Sequence, residues 1–437
     1  MPINPSEQPG NTSTYIHPRD PHLHRIENAM EYDAYGQPIL RTALTNVETT
    51  SKNRLQVSER VRRFYNTSLY DTGTDVWDNY TVTGATITHD SNKNACTLAT
   101  STTAGSLAVR QTYQVMNYIP GRPAEFSMAF MAGPAAGARL RVGVFDENNG
   151  MIFEKAADGT FYCVIRSKST GVVVENRVAR QDWNGDKLDG TGPSGITVVP
   201  GMMQMVDITY EWYGAGQVEF AFIIDGHKHT VHTFYHANRT NVSWASTPFL
   251  PIRIEAENIS ATTTASLTIY SVSFGLEGTS TNLGIPKITG IPLPGKNLAT
   301  AFTYYPTVSI RLKSNQLNAV AFLEEVQGFT TDNSFLTFRI IKNATLSNGG
   351  TLTWTDFSTT GSSIEVNTNA TSFTGGTVIA LGVVPLNGRP YMLDGNTGVF
   401  QIGRTGLGTA SDIYTLALSP AKNNVVALGT LRWREQR

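Results

Sequence analysis

Charge is scarce in this chain. Asp, Glu, Lys and Arg make up 16% of its 437 residues, where an ordinary soluble domain carries about a quarter. Much of the exposed surface must therefore be Ser, Thr, Asn and Gln. Neither sign dominates: 34 Lys plus Arg stand against 35 Asp plus Glu, a net charge of −1. Without a basic excess there is no counterion-release drive toward nucleic acid and no long-range pull toward an anionic membrane, so neither is expected as a partner. Cysteine is nearly absent. Cys96 and Cys163 lie far apart with no CxxC spacing, which excludes a disulfide-dense scaffold and a cysteine zinc site and leaves two buried free thiols as the expectation. No apolar run approaches the roughly eighteen residues of a membrane helix, and the opening MPINPSEQPGNTSTYIHPRD has neither the basic flank nor the apolar stretch of a secretion signal. A soluble product made in the cytoplasm is expected. Signatures of catalysis are missing too: there is no GxSxG, no GxxxxGK[ST] and no HExxH.

What is present is alternation with turn punctuation. Residues 1–50 are rich in proline (Pro2, Pro5, Pro9, Pro18, Pro21, Pro38) and poor in apolar residues, so they cannot bury enough surface alone to offset their ordering entropy. They read as an extended docking arm, with Tyr15, Ile16, Tyr32, Tyr35, Ile39 and Leu40 as anchors that order against a neighbouring subunit. Residues 51–64 read as a short helix or a basic connecting strand. From there to 275, period two predicts antiparallel strands. The clearest pair is QVEFAFII and HKHTVHTFYH, joined by Asp225-Gly226, a two-residue loop suited to a type I′ turn. Residues 276–305 hold Pro286, Pro292 and Pro294 among glycines and read as a linker along a surface. Strands resume over 306–437. The expected fold is all-β: two antiparallel β-sandwich or jelly-roll domains, 51–275 and 306–437, preceded by the arm.

Each constellation that could carry chemistry has a plainer explanation. His227, His229, His232 and His236 fall within ten residues, but on a regular strand they project from two faces and cannot all converge on one ion. Asp182, Asn184, Asp186 and Asp189 are spaced like calcium ligands, yet Lys187 and Pro193 stand where an EF-hand needs glycine and glutamate, so a side-chain-capped turn is favoured. Glu255 with Glu257, and Asp207 with Glu211, could serve as the paired acids of a glycosidase, but alternating acids equally mark a solvent-facing strand. No catalytic, cofactor or metal residue is assigned. Trp183, Trp212 and Trp244 are candidates for stacking on sugar rings, a fate less common for tryptophan in a β domain than core packing.

The segments RLQVSERVRRFYNTSLYD, STTAGSLAVRQT, VGVFDENNGMIFE, WNGDKLDGTGPSGI, FAFIIDGHKHTVHTFYHAN and PFLPIRIEAEN together resemble a recurring family of bacteriophage virion structural proteins, over residues 50–275. SIRLKSNQLNAV, ASDIYTLAL and VVALGTLRW resemble, more loosely, a β module that follows in such proteins. The resemblance implies a concanavalin-like sandwich, a place in the virion (tail, baseplate, fibre or capsid surface) after assembly in the bacterial cytoplasm, and no catalytic residues. Partners are then other virion proteins and copies of the chain itself, as a homo-oligomer with a trimer favoured. A carbohydrate-binding module that recognises a host-surface glycan is the alternative, and a polysaccharide depolymerase a more distant one.

Overall fold

The computed structural model describes residues 60–133, 136–260, 262–278, 284–330, 334–384, 391–393 and 400–436, with the backbone of two further strands at 28–32 and 38–42. The chain divides into two compact units, Met1–Val57 and Ser58–Arg437. In the first, Asn28–Tyr32 pairs antiparallel with Pro38–Thr42, placing Tyr32 opposite Pro38, Ile39 opposite Glu31 and Leu40 opposite Met30. The expectation of an extended arm is corrected to that extent, since the segment contains a hairpin. Backbone pairing across five registered residues needs no apolar face of its own, so the binary pattern gave no warning of it. Tyr15, Ile16 and Tyr35 lie outside the described residues.

The second unit is built of antiparallel sheets, and its described residues contain no helix beyond the three-residue 3₁₀ turn Arg180–Asp182. One seven-stranded sheet runs, in spatial order, Val174–Ala179, Phe161–Ser167, Gly150–Lys155, Ala138–Phe145, Ile252–Asn258, Leu107–Thr112 and Trp77–Val82. Facing it is a sheet centred on Ala124–Ala132 and Ser266–Glu277 that ends on one side at His227–Phe234. Strict alternation explains the packing: along Ala124–Ala132 every second residue is buried, and Phe126, Met128 and Phe130 meet Leu140, Val142 and Phe153 of the other sheet in one core. Such a face removes the apolar side of each strand from water at roughly 25 cal/mol per Å². The Asp225-Gly226 turn forms as its sequence predicts. Both residues have positive φ (52° and 78°), and Ile224 lies opposite His227. Cys96 and Cys163 are buried free thiols.

Residues beyond 284 form a second sandwich. A five-stranded sheet has Val425–Gln436 in its middle, between Val320–Thr330 and Ile285–Gly290. A six-stranded sheet runs Thr355–Asp356, Ile364–Asn367, Tyr305–Leu312, Tyr414–Pro420, Leu336–Lys342 and Thr377–Val384. The linker read over 276–305 is therefore corrected. Ile285–Gly290 and Lys296–Leu298 are strands paired with Val425–Gln436. A proline is tolerated there because an edge strand donates to one side only; Pro286 sits opposite Arg434 at that edge.

The two sandwiches are also joined to each other. Val115 and Phe249 of the first pack with Val320 and Phe322 of the second. The Arg404 amide donates to the Tyr113 carbonyl at 2.7 Å, and the Leu407 amide donates to Asp78 Oδ2 at 2.7 Å.

Candidate functional site

The residues picked for sugar stacking turn out to be structural. Trp183 and Trp244 are each only 4% exposed. The Trp183 indole donates to the Val178 carbonyl at 3.2 Å and tilts against Phe222. Trp244 stacks on His236 with ring centroids 5.6 Å apart. Trp212 is half-buried, donates to the Ala245 carbonyl and packs at the core's margin beside Tyr118. All three proposals are corrected, because an indole beside an apolar sheet face gains more by burial than by waiting for a ligand. The histidines separate likewise. His232 and His236 are buried and burial lowers the pKa of both, whereas His227 stays exposed. Asp186 caps its turn by accepting from the Leu188 and Ser194 amides at 2.9 Å each.

Sequence reasoning missed a charged lattice on the face of the seven-stranded sheet that points away from the core. The ladder sets Glu255, Arg141 and Glu154 side by side on three strands. Arg141 Nε lies 2.6 Å from Glu154, its Nη2 3.0 Å from Glu175 and its Nη1 3.8 Å from Glu255. Arg253 Nε reaches Glu255 at 2.6 Å, and its Nη1 donates to Gln111 Oε1 at 3.0 Å. Arg177 closes on Glu154 from the rim. Burial opposes ionisation of Glu175, yet Arg141 and Arg166 outweigh it and hold its carboxyl below the usual carboxylate range. The rings of Phe145 and Tyr162 lie beneath the guanidiniums of Arg166 and Arg177. The signal was there: ARLRV and VENRV put charges at alternate positions of a strand, and IFEK places Glu154 two residues after Ile152 on the same face. Which charges would meet depended on a register that one strand alone does not specify. Chemically the lattice spends its carboxylates on arginines, and a proton donor for glycosidic cleavage needs the opposite, a carboxyl whose pKa is raised. The Glu255 and Glu257 pair takes part in the same way, Glu257 being paired with Arg139.

Two further features lie at the surface of this unit. The first is a cleft of about 280 Å³ between the sandwiches, lined by the Asp146–Asn148 turn, residues 314–319, Arg404, Leu407 and Gly408. The second is the strand Thr377–Val384, the last of its sheet among the described residues. Its Leu381 is 68% and its Val383 59% exposed. Tyr391 and Met392, at the edge of the facing sheet, are exposed as well. The sequence revealed this strand's existence but not its edge position.

No family model and no curated protein matches the sequence. Among solved structures, the chain is similar to an endo-β-1,4-glucuronan lyase from the fungus Trichoderma reesei (16% identity, TM-score 0.34, covering 49% of this chain and 95% of that one). It is similar to a Bacillus licheniformis β-glucanase (11%, TM-score 0.33, covering 50% and 99%) and to peanut lectin (14%, TM-score 0.32, covering 51% and 100%). No residue role is carried over from these.

Proposed function

We propose that the chain is a bacteriophage virion structural subunit that works by assembling with copies of itself, and that the strand Thr377–Val384 is an assembly edge. The observation that carries this reading is the contrast between that edge and the others. Unpaired strand edges invite association, and proteins commonly blunt them with charge, proline or brevity. Among the described edge strands, Val174–Ala179 carries Glu175 and Arg177, His227–Phe234 carries Lys228, Ile285–Gly290 carries Pro286 and Lys287, and Arg60–Thr67 carries three arginines. Thr377–Val384, with the sequence TVIALGVV, has no charge and no proline across eight residues of high β propensity.

A second copy is the fitting occupant. An uncharged strand laid antiparallel against its own twin brings no like charges together, and a two-fold contact is self-complementary by construction. The net charge of −1 adds little long-range repulsion between copies. The commitment of Glu154, Glu175 and Glu255 to arginines supports a structural role over a catalytic one. The test is the mass of the full chain in solution by light scattering. A multimer is expected, reduced to a monomer by Leu381→Lys with Val383→Lys while the circular dichroism spectrum stays unchanged. A monomeric wild type, or a doubly substituted chain that remains multimeric, overturns the reading. The same mass separates a pair from the trimer expected from the sequence.

A further inference from the structure

We propose that Asn348 is a site of spontaneous covalent modification, where the Gly349 nitrogen attacks the Asn348 carboxamide, ammonia leaves, and aspartate or isoaspartate takes its place. Asparagine followed by glycine occurs at Asn149, Asn184, Asn348 and Asn387, and Asn387 lies outside the described residues. Glycine favours the attack because it puts no Cβ beside its own nitrogen. What separates the three described sites is whether that nitrogen and the carboxamide can meet. At Asn184 they cannot. The Gly185 amide donates to the Val231 carbonyl at 2.9 Å. The Asn184 carboxamide is clamped on both sides, Oδ1 accepting from the Thr233 amide and Nδ2 donating to the Thr233 carbonyl, each at 2.9 Å. A Cβ on Gly185 would stand 2.3 Å from the Thr230 carbonyl oxygen, so this backbone has no room to turn. Asn149 is 1% exposed, and its Oδ1 accepts from the Ser246 amide at 2.8 Å and the Lys168 amide at 3.2 Å. Both carboxamides are held in place by the fold.

Asn348 differs at each point. It follows the strand Thr345–Ser347 in a turn where Gly349 and Gly350 are exposed. Beyond its chain neighbours, no heavy atom stands within 4 Å of where a Gly349 Cβ would be. The Gly349 amide donates to the Ser347 hydroxyl at 3.3 Å and not into a strand ladder, so freeing it disturbs no sheet. The Gly350 amide donates to Asn348 Oδ1 at 2.8 Å. That oxygen is where negative charge gathers when a nitrogen adds to Cγ, and the turn already aims a donor at it. Nδ2 donates to the carbonyl of the exposed Thr351 at 2.8 Å, on a side open for ammonia to leave. In the first step the Gly349 nitrogen loses its proton to water and bonds to Cγ, and the Cγ–Nδ2 bond breaks as ammonia departs with a proton. In the second, water opens the cyclic succinimide at either carbonyl: the side-chain one gives aspartate, the backbone one isoaspartate. One water is consumed, one ammonium and one carboxylate are formed, and no oxidant or cofactor enters. Either product adds a negative charge to a chain whose net charge is −1 and removes the donor to Thr351. The reaction does not depend on edge-to-edge assembly.

The experiment is to hold the purified full chain in mildly alkaline buffer, digest samples over time, and map the peptides by mass spectrometry with electron-transfer fragmentation, which tells isoaspartate from aspartate. Asn348 is expected to convert at least tenfold faster than Asn149 or Asn184, and to give both isomers. Gly349→Ala, whose methyl meets no neighbour but screens the nitrogen, should slow conversion severalfold with the circular dichroism spectrum unchanged. No conversion at Asn348, conversion of Asn149 or Asn184 at a comparable rate, or a Gly349→Ala chain that converts as fast as the wild type overturns the proposal. Aspartate alone, without isoaspartate, overturns it too, since that is the product of direct hydrolysis in which Gly349 takes no part.

Discussion

Residue by residue, the least expected property of this chain is how it uses its few charges. With 16% charged residues, it still buries Arg141 and Glu154 almost completely, in contact with each other. The desolvation penalty of such a pair can exceed its Coulombic gain, but removing one partner leaves the other uncompensated, which costs about 3–5 kcal/mol. Glu154→Gln is therefore expected to destabilise the chain by about 3 kcal/mol in urea unfolding. Arg177→Gln, at the exposed rim of the same lattice, should cost under about 1 kcal/mol. Equal effects would show that the lattice does not discriminate centre from rim. The residues singled out from sequence fared according to what decides their fate. Asp225 and Gly226 were legible because a two-residue turn is a local matter of φ. Trp183 and Trp244 were not, because whether an indole is core or platform depends on which strand lies over it.

At the scale of single elements, the clearest disagreement between pattern and structure is Lys296–Leu298. Pro292, Pro294 and Gly295 just before it hid it, and what fixes it in place is non-local. Lys296 Nζ donates to the Pro306 carbonyl at 2.5 Å and to the Ala370 carbonyl, tying the strand to Tyr305–Leu312 and to the loop that follows Ile364–Asn367. Burial pushes the lysine pKa down to about 8, below its unfolded value of about 10.4. Between those two values the unfolded chain binds more protons than the folded one, so this lysine's contribution to stability rises with pH from about 8 to about 10.4 and is flat below 8. The difference in unfolding free energy between the wild type and Lys296→Met should accordingly move in favour of the wild type across that window. A difference independent of pH would mean that the lysine titrates as an exposed one. Strands such as Val218–Ile224, Ile252–Asn258 and Val425–Gln436 were visible as alternating runs, since one buried face is written directly into period two, whereas Ala124–Ala132 and Val320–Thr330 were not singled out. Pairing partners were not visible, since pairing order is a property of the sheet.

For the whole second unit, two sandwiches sharing an apolar contact are expected to unfold together. Phe322 is 4% exposed and packs with Val115 and Val320 across the junction. Phe322→Ala should remove about 3 kcal/mol and, by weakening the junction, split one calorimetric transition into two. A single transition at a lower temperature would locate the effect inside the second sandwich alone. The all-β class and the presence of two sandwiches were readable from length, turn spacing and alternation. The joint between them was not, for it rests on backbone donors such as that of Leu407, whose partner Asp78 lies more than three hundred residues away in sequence.

The middle of the five-stranded sheet is occupied by Val425–Gln436, the last strand in chain order. During synthesis the neighbours Ile285–Gly290 and Val320–Thr330 leave the ribosome well before the strand that must lie between them, so the sheet cannot close until translation has passed that point. At about 5–20 residues per second, the hundred or so residues between Val320–Thr330 and Val425–Gln436 leave these two strands waiting for several seconds with unfilled ladders. A nascent chain in that interval is the form in which this protein would be most in need of a chaperone.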